Sequence, residues 1–208
     1  MTPVDTARES KASSGDRRVR RTRTALARAL IQLVEEQDLS RISVSDVAEG
    51  AGVSRSAFYD HYRDVHELAE DACTAMIDGL IESLPAPELD SADLVRETIQ
   101  SLAAFFASLA EHAGLYRALL GLEGSARVVG HIRHRMASVI RDHLDAADAG
   151  QWPELVPHDV TAAFTAGALL GVAVDWLEGG CARTPAEMAE AIWPLLNAHY
   201  RINEGGRR

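Results

Sequence analysis

The chain has 208 residues, 47% of them hydrophobic, 25% charged and only 5% aromatic. That composition suits one to two water-soluble domains with a sizeable core, and its wealth of Ala, Leu, Glu and Arg leans helical. A formal charge of −10 argues against a general nucleic-acid coat, since attraction to phosphate supplies nonspecific binding, yet residues 1–63 are net +2 and residues 64–208 net −12.

In chain order, residues 1–16 are Ser-, Asp- and Arg-rich without periodicity and read as a disordered arm. From about Arg18 to Gln37 the residues Leu26, Leu30, Leu33 and Val34 recur with helical spacing and predict an amphipathic helix. Asp38–Ile42 breaks it. Ser43 with Asp46 forms a capping-box pair that starts a short helix, which Gly50-Ala51-Gly52 interrupts. Ser54 opens another short helix to about Asp60. Asp64 with Glu67 repeats the capping signal and begins a long helix to Leu84. Pro85-Ala86-Pro87 stops it, and Asp90/Ser91 start the next, which carries Leu94, Ile99, Leu102, Phe105, Phe106 and Leu109. Helices over Leu115–Leu122 and from Ser125 to about Ala147 follow, and Trp152-Pro153 and Pro157 mark a loop. A helix from His158 to Glu178 is expected to end at Gly179-Gly180 in the left-handed cap position. Thr184-Pro185-Ala186-Glu187 starts the last helix, which runs to about Arg201 with Pro194 kinking it or ending it early. Nothing alternates with period two, so the fold is expected to be all-α.

The two short helices and their glycine turn have the size of a helix-turn-helix that enters a DNA major groove. Small Ala48 allows close helix approach, Gly52 can take a positive φ at the corner, and Val47, Val53 and Phe58 are expected to face inward. Ser45, Ser54, Arg55, Ser56 and Tyr59 are left facing outward. Hydroxyls and an arginine at a helix N-terminus fit phosphates and guanine edges. A plain helical hairpin in a core has the same spacing. The arginines at 17, 18, 20, 21 and 23 read as a solvated tail.

Ile42-Ser43-Val44-Ser45-Asp46-Val47-Ala48-Glu49-Gly50-Ala51-Gly52-Val53-Ser54-Arg55-Ser56-Ala57-Phe58-Tyr59-Asp60-His61-Tyr62-Arg63-Asp64-Val65-His66-Glu67-Leu68 resembles the DNA-binding domain of the TetR family of bacterial repressors. The resemblance covers residues 18–70 without a gap over the motif. Farther on, Tyr116-Arg117-Ala118-Leu119-Leu120-Gly121 and Trp176-Leu177-Glu178-Gly179-Gly180 resemble C-terminal segments of some TetR-like regulators. The resemblance implies a homodimer, with a helix-turn-helix DNA-binding domain over 17–63 and a helical effector-binding and dimerisation domain over 64–208. The helix over 64–84 connects the two. It also implies that Ser43 and Ser45 bond phosphate, that Ser54, Arg55 and Ser56 open the recognition helix with Arg55 on a base edge, and that Tyr59 and His61 meet the phosphate backbone. Two departures stand out. Ser56 replaces the commonest glycine, where it either adds a base contact or only fills space. Val65 replaces a usual phosphate-binding lysine, so that clamp is expected to be absent and restorable by Val65→Lys.

Other candidates are weaker. His131 and His134 share a helix face but lack a third ligand, so no metal site is expected; a solvated basic face is the simpler reading. No base–nucleophile pair or paired carboxylates are legible, so no catalytic residue is named and no enzyme is expected. Gly167 and Gly171, with Ala163 a turn earlier, allow close helix approach, either to a neighbour in the same chain or to a dimer partner. Phe105, Phe106, Phe164 and Trp176 either line an apolar ligand cavity or are plain core. Cys73 and Cys181 stand 108 residues apart, which rules out a disulfide scaffold or a zinc ribbon and makes a reducing compartment the default. The longest apolar run, Val160–Val174, falls short of about 18 residues, and no secretory pattern opens the chain. A cytoplasmic regulator without cofactor or membrane partner is therefore expected. Its function would be that of a repressor released from a pseudo-palindromic DNA operator by a small molecule. An activator or an effector-independent regulator is the nearest alternative, and a small helical enzyme or ligand carrier is the alternative from another class.

Overall fold

The computed structural model describes residues 5–84, 93–122, 124–148 and 156–204, and no β-strand occurs among them. The helices are α1 (Asp5–Glu36), α2 (Val44–Gly50), α3 (Arg55–Tyr59), α4 (Val65–Ser83), α5 (Leu94–Glu111), α6 (Ala113–Leu120), α7 (Ala126–Asp148), α8 (His158–Glu178) and α9 (Pro185–Glu204), with a 3-10 turn at Leu39–Arg41. The fold is all-α, as the sequence periodicity requires. The expected stops and starts at Pro85-Ala86-Pro87, Asp90/Ser91 and Trp152-Pro153 lie outside the described residues.

Helix α1 corrects the expectation of a disordered arm over 1–16, because it begins at Asp5. Its C-terminal half is anchored by buried Leu26, Ala29, Leu30 and Val34. Once those turns are fixed, each further residue adds a hydrogen bond, and no proline intervenes back to Asp5.

The chain divides into two compact units, Met1–Ala72 and Cys73–Arg208. The division falls inside α4 and not at the expected boundary of 63/64. The cause is burial, for Val65, Leu68, Ala69 and Ala72 are apolar and buried along the first turns of α4.

In the first unit α1 packs on α2, and α2 on α3, around Leu26, Leu30, Val47 and Phe58, each 0% exposed. A Cβ added to Gly50 would lie 3.3 Å from the Ala29 Cβ, so the glycine permits a close approach of α2 to α1. The corner between α2 and α3 is a Schellman motif. Gly52 takes φ +65°, its N–H donates to the Glu49 carbonyl at 3.0 Å, and the Val53 N–H donates to the Ala48 carbonyl at 2.9 Å.

In the second unit α5 lies along α9, α7 lies along α8, and α6 packs on α7 and α8. Phe106, 0% exposed, meets Phe105 and Trp176 edge-on at 5.2 Å each. Helix α8 ends in a second Schellman motif, but the left-handed residues are Gly180 (φ +74°) and Cys181 (φ +55°), and Gly179 keeps a negative φ. The Thr184–Glu187 capping box forms in full, and α9 continues through Pro194 to Glu204. At 21 residues, with an 18-residue stretch of mean hydropathy 1.6, α8 is long and apolar enough to cross a membrane, which corrects the expectation from the shorter Val160–Val174 run. Nine of its residues are nonetheless buried within the protein, in pairs such as Thr161/Ala162, Thr165/Ala166 and Leu169/Leu170. Those pairs alternate with exposed ones, so a single face of α8 serves the core.

Among the described residues nothing lies within 4 Å of a Cβ built on Gly52, so its φ is what resists substitution. Gly52→Ala should therefore cost about 1–2 kcal/mol through the left-handed backbone alone. Gly52→Asn should cost less, because Asn tolerates that region better. Chemical denaturation midpoints of the three proteins measure the difference, and equal midpoints would contradict it.

Candidate nucleic-acid interface

The helix-turn-helix presents outward four of the five polar residues that the sequence pattern placed there. Ser54, Arg55, Ser56 and Tyr59 are exposed, Tyr59 by 60%, while Ser45 and His61 are half-buried. Val53, expected to face inward, is also half-buried. Phe58 beneath them is fully buried and meets the Tyr59 ring edge-on at 5.7 Å. An exposed arginine in the first turn of α3 thus stands among hydroxyls on a rigid base, free of competing core contacts.

The serines divide into different tasks. Ser43 caps α2: its Oγ accepts from the Asp46 N–H at 3.3 Å and donates to the Asp46 carboxylate at 2.8 Å, while the carboxylate also accepts from the Ser43 N–H. Ser43 is therefore already committed on both sides, and a bond from its hydroxyl to phosphate would have to replace the one to Asp46. Ser54 caps α3 by accepting from the Ala57 N–H at 3.1 Å. Its hydroxyl proton is left for an outside acceptor. The backbone and hydroxyl of Ser43 hold the Asp46 carboxyl below the usual carboxylate range, and the Arg55 guanidinium adds a smaller pull.

A second group of residues in the same unit escapes local sequence reading. Arg23 on α1 donates through Nε to the Tyr62 hydroxyl at 3.0 Å and through a terminal nitrogen to Asp71 at 2.9 Å, and Tyr62 donates to Asp71 at 2.7 Å. The guanidinium also lies 5.3 Å from the Tyr62 ring centroid. Burial and the bond to Asp71 push the Tyr62 phenol up to about 12. This triad ties α1 to α4 beside the C-terminal end of α3. Its members are 39, 48 and 9 residues apart, so no motif announces it.

The start of α4 departs from expectation in two ways. Asp64 caps by accepting from the Glu67 N–H at 2.8 Å, but Glu67 reaches back to the Arg63 N–H and Nε and not to Asp64. Val65 is only 9% exposed. Its side chain packs into the head, where it forms part of the core of the first unit. Arg63, Asp64 and His66 are the exposed neighbours.

In the second unit the aromatic candidates separate. Phe105, Phe106 and Trp176 form a buried stack, whereas Phe164 is 57% exposed on the outer face of α8. A groove of about 560 Å³ lies instead between α4 and α5, lined by Met76, Leu80, Ala104, Ala107, Ser108 and Glu111 among others. His131 does not pair with His134, which is exposed; its Nε2 lies 3.1 Å from Asp78, which also accepts from Arg135 Nε at 2.9 Å. Burial pushes the Cys73 thiol up to about 12.

Comparison with known proteins bears on both units. Residues 26–72 match the family described as "Bacterial regulatory proteins, tetR family", and residues 96–198 match a "Transcriptional regulator C-terminal region" of the TetR type. The chain is 41% identical over 70 residues to the uncharacterized HTH-type transcriptional regulator YxbF of Bacillus subtilis (strain 168), a match that covers 31% of this chain and 18% of that protein. In structure it is similar to a tetR-family transcriptional regulator from Streptomyces coelicolor, at TM-score 0.68 and 20% identity over 88% of this chain and 82% of that one. It is also similar to NalD of Pseudomonas aeruginosa, described as the secondary repressor of a multidrug efflux pump, at TM-score 0.60 and 20% identity over 86% and 96%. A third similar structure is FadR from Bacillus subtilis in complex with stearoyl-CoA, at TM-score 0.61 and 13% identity over 83% and 96%.

The Asp78 cluster has a pH signature. Partial desolvation opposes ionisation of Asp78, but the hydrogen bonds from Arg135 and His131 outweigh it and hold the carboxyl below the usual range. A depressed folded-state pKa stabilises the fold above the unfolded carboxylate pKa, and that stabilisation is lost as pH falls through the folded value. Asp78→Asn should accordingly lower stability near neutrality and shrink the loss on acidification. Denaturation midpoints over a pH series read this directly; an acid limb identical to the parent's would remove Asp78 from the account.

Proposed function

Because the chain belongs to the TetR family of bacterial regulatory proteins, and so is a DNA-binding transcriptional regulator, we propose that it acts as a dimeric repressor released from a pseudo-palindromic operator by a small molecule. The observation that carries the reading is the exposed Ser54-Arg55-Ser56 turn, set on a helix-turn-helix whose corner is fixed by Gly52. In this reading Arg55 takes a guanine edge with two donors, while Ser45, Ser54, Ser56, Tyr59 and His61 position the head on phosphates and sugars. Ser43 serves mainly to cap. The cytoplasm is the place of action.

The α4–α5 groove, with Met76, Leu80 and two alanines on its walls, suits an apolar or amphipathic effector. The stack of Phe105, Phe106 and Trp176 is core that shapes the body, and Phe164 belongs to a different surface. Ala163, Phe164, Gly167 and Gly171 are exposed along α8, and Leu195 on α9 is 68% exposed. This surface supports pairing of α8 and α9 with the same helices of a second copy about a two-fold axis. An effector that favours one arrangement of the body over another shifts the population away from the DNA-competent state. Activation in place of repression has one specific support: a solved structure at TM-score 0.63 is named as the dihydroxyacetone kinase operon activator DhaS.

Selecting bound sequences from random DNA defines the operator, and a compound screen for release then tests the effector reading. A reporter placed behind that operator decides between repression and activation. Arg55→Ala should cost about 1–3 kcal/mol on the selected operator and relax preference at one position per half-site. Equal weakening on operator and random DNA would make Arg55 a phosphate contact. For assembly, a Cβ at Gly167 or Gly171 meets nothing within 4 Å among the described residues, so Gly167→Leu and Gly171→Leu should burden a partner more than the chain's own fold. Light scattering should show monomer and operator binding should fall; a stable dimer carrying both leucines would move the interface elsewhere.

A further inference from the structure

We propose that the groove between α4 and α5 takes a cationic amphiphile, with its apolar chain along Met76, Leu80 and Ala107 and its ammonium on the Glu111 carboxylate. The proposal rests on the effector reading above and gives that effector a charge. The groove lies wholly within the second unit, between residues 76–84 and 104–112. Its room comes from composition, because Gly79, Ala104 and Ala107 are exposed and carry little or no side chain where a longer one would close it. A Cβ built on Gly79 meets nothing within 4 Å among the described residues. At about 560 Å³ the space is that of a small-molecule site.

Charge decides the class of ligand. Glu111 stands at one end of the lining, followed by His112, and no Lys or Arg lines the groove among the described residues. Glu111 is exposed, and no described residue gives it a hydrogen bond or an ion pair. Nor does its own helix call for it. Glu111 is the last residue of α5, where the carbonyl end of the helix dipole disfavours a carboxylate. It is therefore available to an outside cation at the edge of an apolar surface. The Tyr116 hydroxyl is a second polar group near this end. Tyr116 is 0% exposed, and its oxygen has no hydrogen-bond partner among the described residues. Burial pushes the phenol up, and the neighbouring Cys73 and Glu111 add to the effect, so the oxygen lies close to Glu111 and to the turn of α4 that precedes Met76. A buried polar atom ordinarily has a partner, and the N–H of a ligand seated at Glu111 is a donor near at hand. The wider field agrees. Residues 64–208 are net −12, which draws cations and repels the carboxylate or phosphate of an anionic amphiphile.

The test uses the full-length protein and isothermal titration calorimetry with decylammonium, decanol and decanoate below their aggregation concentrations. The three probes share a chain and differ in head charge. The parent should bind decylammonium about three- to tenfold more tightly than decanol, and decanoate more weakly than either. Glu111→Gln should bring decylammonium down to the level of decanol, and Glu111→Lys should favour decanoate. Gly79→Leu fills the groove and should weaken all three. Both substituted positions are exposed, and circular dichroism checks that the variants fold. Decanoate bound as tightly as decylammonium by the parent would overturn the proposal, and so would an ammonium preference that survives Glu111→Gln. If no probe bound, or if binding ignored Gly79→Leu, the groove would not be the site, and the effector reading of it would fail as well. Operator release, followed by fluorescence anisotropy on the DNA selected from random sequence, separates the two failures. Decanoate that releases the parent but not the Gly79→Leu protein would overturn the cation and leave the effector reading standing. Decylammonium that binds through Glu111 without releasing DNA would support the ligand and overturn the release.

Discussion

Helix α2 ends and α3 begins within a few residues, and the connection holds because Gly52 can sit at φ +65° and turn its own amide and that of Val53 back onto Glu49 and Ala48. Those two bonds satisfy carbonyls that the helix end would otherwise leave bare. They also fix the direction in which the chain leaves, so that Ser54 arrives in position to cap α3. From there the register of the surface follows. Phe58 falls into the core, and Arg55, Ser56 and Tyr59 fall outside it. A different backbone at residue 52 would rotate the whole outward set. The close approach of Gly50 to Ala29 then seats this corner on α1.

What the sequence discloses is what depends on near neighbours. Capping pairs three residues apart at Ser43/Asp46 and Thr184/Glu187, the glycine corner at 52, and the i, i+4 recurrence of Leu26 and Leu30 all appear in the structure where the pattern put them. The all-α fold and the exposed face of α3 were legible for that reason. Interactions that join distant segments were not. Arg23 with Asp71, and Asp78 with Arg135, are ordinary surface residues until the fold brings them together. Periodicity also misjudged extent. It placed the start of α1 at about Arg18, although a helix propagates past its anchored turns through residues that merely tolerate it. At Val65 the sequence pattern was silent about burial, which only the packed head decides.

The second unit was less legible because its surfaces resemble one another in composition. Phe105, Phe106 and Phe164 are equal as letters, yet two lie in the core with Trp176 and one lies outside. Helix α8 explains the ambiguity. It is apolar on nearly every side, so hydropathy cannot distinguish the side that meets α7 from the side that carries Gly167 and Gly171. Burial separates them into alternating pairs, and Gly167 and Gly171 fall on the exposed side, with nothing among the described residues within 4 Å of a Cβ built on either.

The Ser43–Asp46 capping box also sets a charge beside the exposed turn. The backbone and hydroxyl of Ser43 keep Asp46 ionised, and Arg55 adds a smaller pull on it. A helix cap formed for local backbone reasons thus leaves a fixed negative charge near the first residue of α3, so the surface around Arg55 is not uniformly cationic.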